Sequence, residues 1–116
     1  MYYFNAILLE HCPYSMSADK LLKNYNIKSN IILVNSSNKD TYKTDKINTF
    51  PQIYLKKHNS VGNVLIGGYN DLKNLTDLVY KKKFNDEIIK TTMNKYNLSK
   101  KTSLRVYQLI NSIKID

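Results

Sequence analysis

The chain opens on an apolar run, Tyr2 to Leu9, whose aromatic and branched residues show no helical spacing; it reads as a buried strand. The period then changes. Ala18, Leu21, Leu22 and Tyr25 recur at i, i+3, i+4 and i+7, which predicts an amphipathic helix with its stripe on the core. Pro13 suits the first position of that helix, because its missing N–H would have no intrahelical acceptor there. Cys12 therefore falls at the N-cap, where strand gives way to helix. A polar exit, Asn24 to Asn30, leads to Ile31-Ile32-Leu33-Val34, a second short strand. Two strands joined by a helix make a right-handed βαβ unit with parallel strands.

Asn35 to Asn48 is polar, with room for one short helix carrying Tyr42 and Ile47 inward. Thr49 to Leu55 reads as a third strand with Pro51 near its beginning, where a ladder tolerates a proline. Lys56 to Asn63 is a turn, and Val64-Leu65-Ile66 returns antiparallel as its hairpin partner. Gly67-Gly68 ends that strand, and Leu72, Leu75, Leu78 and Val79 mark a helix starting near Asn70. Lys81-Lys82-Lys83 reads as a solvated connector. Beyond it Ile88, Ile89, Met93 and Tyr96 form one stripe, and Leu104, Tyr107, Ile110 and Ile113 another. Asn97 is a stop for the first of these helices, and Ser99 or Thr102 a cap for the second. A disordered basic arm has no use for such stripes, so residues 84–116 are expected to pack as two helices on the rest.

Composition narrows the class. A chain of 116 residues has room for one domain, and 42% apolar against 23% charged residues is an ordinary globular balance. No apolar run approaches the ~20 residues that span a bilayer, which argues against a membrane partner. The start, Met1 to Glu10, lacks the basic residues and cleavage site of a signal peptide, and a cytoplasmic location is expected. One cysteine allows no internal disulfide and no four-cysteine metal site in one chain; no metal ligand set is expected. The net charge of +9 is uneven, +3 over residues 1–78 and +6 over 79–116. That asymmetry suggests an anionic partner surface. Yet lysine outnumbers arginine seventeen to one, and Lys, Asn and Ile abound throughout as AT-rich coding would give. Nucleic acid is therefore not the expected partner.

The lone thiol is where chemistry concentrates. At a helix N-cap the unpaired N–H groups of the first turn and the helix dipole favour a thiolate, the nucleophilic form. The neighbours Glu10, His11, Pro13 and Ser15 are polar or turn-forming, not the flanks of a buried structural cysteine. His11 stands beside the thiol as a possible acid–base partner, and His58 falls in a turn.

Cys12-Pro13-Tyr14-Ser15 after a strand, Thr49-Phe50-Pro51-Gln52-Ile53-Tyr54 at a later strand, and Ile66-Gly67-Gly68-Tyr69-Asn70-Asp71-Leu72 resemble the three signatures of the glutaredoxin family. The resemblance covers roughly residues 2–80, in the family's order. It implies an α/β, thioredoxin-like (glutaredoxin) fold: a four-stranded mixed sheet flanked on both faces by helices. Residues 1–80 would be the glutaredoxin domain and 81–116 a basic helical extension packed on it. It also implies glutathione, as co-substrate, in thiol–disulfide exchange. Cys12 would be the nucleophile toward glutathione mixed disulfides, and Pro51 a cis proline. Phe50 would offer its backbone to the cysteinyl segment of glutathione, with Thr49 beside it, and Tyr14 would wall the groove. Gly68 would let the backbone approach, and the helix start at Asn70-Asp71 would receive the γ-glutamyl end.

Several departures from the family pattern matter. Ser15 stands where a second cysteine is usual, which leaves a monothiol cycle resolved by free glutathione. Leu9 stands where a glutathione-contacting lysine is frequent, and the segment between the second and third strands is short, with Lys46 its nearest basic candidate. The C-terminal helices exceed the usual family length. The expected partners are glutathione and glutathionylated or disulfide-bonded client proteins. Two other classes stay open at this level: a dimer holding a [2Fe–2S] cluster through Cys12 and glutathione, and a catalytically weak thioredoxin-like adaptor.

Overall fold

A computed structural model of the chain describes residues 2–81 and 86–110 and, within them, all side chains except those of 79–81, 86 and 88. The elements run β1 (Tyr2–Leu9), α1 (Pro13–Asn24), β2 (Ser29–Val34), β3 (Gln52–Lys57), β4 (Asn63–Gly67), α2 (Tyr69–Lys81), α3 (Asp86–Tyr96) and α4 (Lys100–Ile110). The strands form one mixed sheet in the order β2-β1-β3-β4. β1 pairs parallel with β2, Ala6 beside Ile31, and antiparallel with β3, Ala6 opposite Ile53; β3 and β4 close as an antiparallel hairpin.

Alternation on β1 builds the core. Phe4, Ala6 and Leu8 point to one face, where Leu55 and Ile53 stand opposite Phe4 and Ala6. They join one apolar cluster with Ala18 and Leu22 of α1 and with Leu72 and Leu75 of α2. Leu98, Val106, Leu109 and Ile110 belong to that same cluster. Each such side chain contributes roughly 1.5–3 kcal/mol on burial, so the last helix is held by the core itself.

Helix ends follow from local chemistry. α1 ends with Asn26 at φ 54°, the Ile27 N–H reaching Leu22 O at 2.9 Å. α3 repeats the motif with Asn97 at φ 53° and the Leu98 N–H on Met93 O at 3.0 Å. Both asparagines tolerate the left-handed conformation, and both motifs tuck the following apolar residue, Ile27 or Leu98, into the cluster. Ser99 caps α4, its Oγ accepting from the Thr102 N–H at 3.1 Å.

Several expectations need correction. β3 begins at Gln52 opposite Ile7, so Thr49, Phe50 and Pro51 precede the strand; proline has no N–H to give a ladder. The helix expected within Asn35–Asn48 is a single 3₁₀ turn, Lys39–Tyr42, with no buried residue. Asn35 Oδ1 accepts from the N–H groups of Ser37 and Asn38, and Asn38 Oδ1 from that of Asn35, bonds that compete with a helix. Tyr42 and Ile47 are only half-buried. On α4 the buried face is Ser103, Val106, Leu109 and Ile110, whereas Leu104 and Tyr107 are half-buried. Ile31 and Leu33 of β2 are 38% and 60% exposed, because they lie on the edge strand. Lys82, Lys83 and Ile113, together with the side chains of Val79, Lys81 and Ile88, lie outside what is described.

Candidate active site

β1 ends at Leu9, the chain turns through His11 at φ 63°, and Cys12 takes the N-cap of α1 in an extended conformation, φ −93° and ψ 118°. That turn brings Cys12 N–H onto Leu9 O at 3.3 Å and lets Cys12 O accept the Met16 N–H at 3.0 Å. The Cys12 side chain makes no capping bond to the helix. It is partly exposed and directs Sγ–H toward the Phe50 carbonyl at 3.9 Å. The thiol thus bridges two stretches 38 residues apart. His11 is exposed, and His58 lies against Tyr3 with ring centroids 4.7 Å apart, remote in the ladder from the thiol.

Ser15 sits one turn on and faces inward. It is 1% exposed, and its Oγ accepts the Leu9 N–H at 3.0 Å. The hydroxyl therefore ties the end of β1 to the first turn of α1 and fixes the loop that presents Cys12.

The Phe50–Pro51 peptide is cis, the isomer the resemblance implies. Pro51 is buried, Phe50 half-buried and Thr49 exposed. These three, with Tyr14, Gly68, Asn70 and Asp71, line a groove of about 570 Å³. Cys12 meets it through the carbonyl of Phe50. Lys46 lines the groove too, carried there by a turn in which Thr44 Oγ1 accepts the N–H groups of Lys46 and Ile47. The expected site residues are thus gathered around one concavity.

At the far wall the chain turns from β4 into α2. Gly67 has φ 130°, and a Cβ there would overlap the Asp71 carboxylate. Gly68 donates its N–H to Asp71 Oδ2 at 3.0 Å, so the acid closes back on the start of its own helix. At Gly68 itself a Cβ would meet Pro51 O at an ordinary 3.7 Å, so the intrachain steric demand of this turn falls on Gly67.

Some of the groove was not anticipated. Tyr69 lines it and tilts against Tyr14, ring centroids 6.5 Å apart, making a two-ring wall at its mouth. With ten tyrosines in the chain, only the glycine pair just before Tyr69 could have singled it out. Ile47 and Leu65 supply apolar lining. Gln52, directly after Pro51, is 0% exposed, and neither of its amide atoms meets a hydrogen-bond partner among the described residues. Tyr96 Oη is buried without one as well, and burial followed by the negative charge of Asp71 pushes the Tyr96 phenol up to about 12.

No protein-family model matches the sequence, and no curated protein does. Among solved structures the chain is similar to glutaredoxin 1 from Francisella tularensis, crystallised with cacodylate. The TM-score is 0.50 at 21% identity, over 71% of this chain and the whole of that one. The fold is that of a glutaredoxin. At this identity the likeness is one of architecture, and within the glutaredoxin fold Cys12 stands after the first strand with the proline loop facing it. Among the described residues no helix is long and apolar enough to cross a membrane.

Proposed function

We propose that the protein is a glutathione-dependent thiol–disulfide oxidoreductase acting through Cys12 alone, on glutathione mixed disulfides of client proteins. The observation that carries this reading is the Cys12 thiol at an otherwise uncapped helix start, beside the Phe50 carbonyl and a groove that ends at a second helix start. The thiolate of Cys12 attacks the glutathionyl sulfur of a client–glutathione disulfide. The S–S bond breaks, the client leaves as thiolate and takes up a proton, and Cys12 becomes the glutathione mixed disulfide. A second glutathione thiolate attacks that same glutathionyl sulfur, releasing glutathione disulfide and restoring Cys12. Overall, one client–glutathione disulfide and one free glutathione give one client thiol and one glutathione disulfide, the incoming glutathione being the reductant.

Each residue has a part in holding the tripeptide. Phe50 presents backbone to its cysteinyl segment, with Thr49 and Pro51 shaping that strand edge. Tyr14 walls one side, and Lys46 offers a cation to the glycyl carboxylate. The γ-glutamyl end carries both an ammonium and a carboxylate. Gly68 lets the backbone approach, Asn70 in the first turn of α2 suits its carboxylate, and the Asp71 carboxylate suits its ammonium. Ser15, engaged with Leu9, offers no second sulfur, so resolution falls to free glutathione. The division into a glutaredoxin domain over 1–80 and a basic helical extension over 81–116, and a cytoplasmic setting, belong to the same proposal.

The test is turnover of a small glutathione mixed disulfide, coupled to reduction of glutathione disulfide. Wild type is expected to turn over, Cys12→Ser to fall to the uncatalysed rate, and oxidised glutathione to leave one adduct, on Cys12, by mass spectrometry. Activity retained in Cys12→Ser would sink the proposal.

A further inference from the structure

We propose that a compact polyphosphate anion binds in a basic pocket between α4 and the end of the sheet remote from Cys12. Tyr2 begins β1 and pairs with Lys57 at the end of β3, while Lys28 O accepts from the neighbouring Phe4 N–H. Cys12 follows the other end of β1, roughly 20–25 Å away at the rise of a strand. The pocket therefore lies outside the thiol groove and stands or falls independently of the thiol chemistry.

Its lining is cationic. Lys28, Lys57, Lys101 and Arg105 surround a concavity of about 510 Å³, with Tyr2 and Gln108 between them and no acidic residue in the lining among the described residues. Lys57, Lys101 and Arg105 make no salt bridge among the described residues. Like charges gathered over a low-dielectric wall repel one another, and a multivalent anion between them relieves that repulsion. Arg105 is the one arginine of the chain. Its Nη1 donates to Gln108 Oε1 at 3.0 Å, which holds the planar fork in place; such a fork matches two phosphate oxygens at once.

The geometry selects a compact ligand. The cations come from the loop before β2, the end of β3 and successive turns of α4, so they form a cup and not a stripe along which a long backbone would lie. The volume is within the range of small-ligand sites. The cup is fastened at its base: Tyr2 Oη meets Thr102 Oγ1 at 3.4 Å, and Thr102 Oγ1 meets Ser99 Oγ at 3.0 Å. The Tyr2 ring, with Lys57 Nζ 5.9 Å from its centroid, is left as a wall. Inorganic polyphosphate and a nucleoside triphosphate share this chemistry.

The experiment is calorimetric titration of the full chain at low ionic strength with tripolyphosphate, with ATP and with a short oligothymidylate. Tripolyphosphate and ATP are expected to bind one per chain and to raise the melting temperature, both effects fading as salt is added. Tighter binding of ATP assigns a nucleotide, with its base on Tyr2; equal binding assigns the phosphates alone. Lys101→Gln/Arg105→Gln, at exposed helical positions, should weaken binding about tenfold or more. Lys20→Gln/Lys90→Gln, which removes the same charge elsewhere on the surface, should leave it unchanged. Lys57→Gln gives an independent reading should the double variant not fold. Absence of saturable binding, equal loss in both double variants, or binding of the oligonucleotide but not of tripolyphosphate would each overturn the proposal.

Discussion

Two helix starts face the groove, and they are built oppositely. α1 begins at Cys12 with no side-chain cap and no acid in its first turn. Its one small polar side chain there, Ser15, is turned away to serve Leu9. α2 begins at Gly68, whose N–H is already held by Asp71, an acid of the first turn. Both ends carry the partial positive charge of unpaired N–H groups. One lacks a built-in anion, and the other contains it. The first helix start is thus open to an incoming anion, whereas the second is already neutralised and suits a head group bearing both charges. Under the proposed function, the first wall would do the chemistry and the second the binding.

The largest expected effect comes from removing the geometry that lets Asp71 close. Gly67→Ala places a Cβ against the Asp71 carboxylate at a φ that L-residues avoid. It should cost about 3 kcal/mol in denaturant unfolding, with glutathione binding lost in parallel. If stability were unchanged, the tight turn would not be what shapes this wall.

Asp71→Asn keeps the shape and removes the charge. A charge-assisted bond to Gly68 becomes a neutral one, a loss of about 1–2 kcal/mol in stability. The KM for glutathione should rise about tenfold while the Cys12 adduct still forms. An unchanged KM would mean that the γ-glutamyl end lies elsewhere.

Cys12→Asp supplies α1 with the anion it lacks. Aspartate is among the preferred N-cap residues, so this inactive variant should be more stable than wild type by about 1 kcal/mol. That gain should vanish in acid as the carboxyl protonates. A Cys12→Asp protein less stable than wild type would show that the first turn has no deficit to fill.

The two starts were not equally legible in the sequence. Pro13 gave away the first, because a proline with no N–H to spend fits N1 and puts the residue before it at the cap. The second was visible as a glycine pair before an acid, but which glycine is sterically required depends on where Asp71 turns, and that is a tertiary fact. The same limit explains α4. Leu104, Val106, Tyr107, Leu109 and Ile110 are apolar nearly all round the helix, so periodicity could not phase it, and its buried face includes a polar residue, Ser103. The exposure of Ile31 and Leu33 was hidden for another reason: an apolar strand reads the same at a sheet's edge as at its centre, and only the strand order decides. Caps were clearer than faces. Asn97 and Ser99 act through their own backbone neighbourhood, so their roles at the α3–α4 junction could be read locally.

The smallest effect concerns Tyr96, which reports on the second helix start from the α3 side. Its phenol is raised from 10.0 to about 12, first by burial and then by the charge of Asp71. A raised value means that folding favours the neutral phenol. The corresponding stability is fully present below pH 10, the unfolded value, and is lost as pH climbs through about 12. Replacing the phenol by Tyr96→Phe removes both this dependence and a buried hydroxyl that has no partner among the described residues. The variant should therefore match or slightly exceed wild-type stability at pH 8 and lose less of it between pH 10 and 12. In the phenolate absorbance titration, the difference between the two proteins isolates one tyrosine, expected to titrate near 12. Asp71→Asn should bring that same titration down part of the way, because burial remains when the charge is gone. A Tyr96 titration that ignored Asp71 would separate α3 electrostatically from the start of α2, leaving the two helix starts distinguished by their own caps alone.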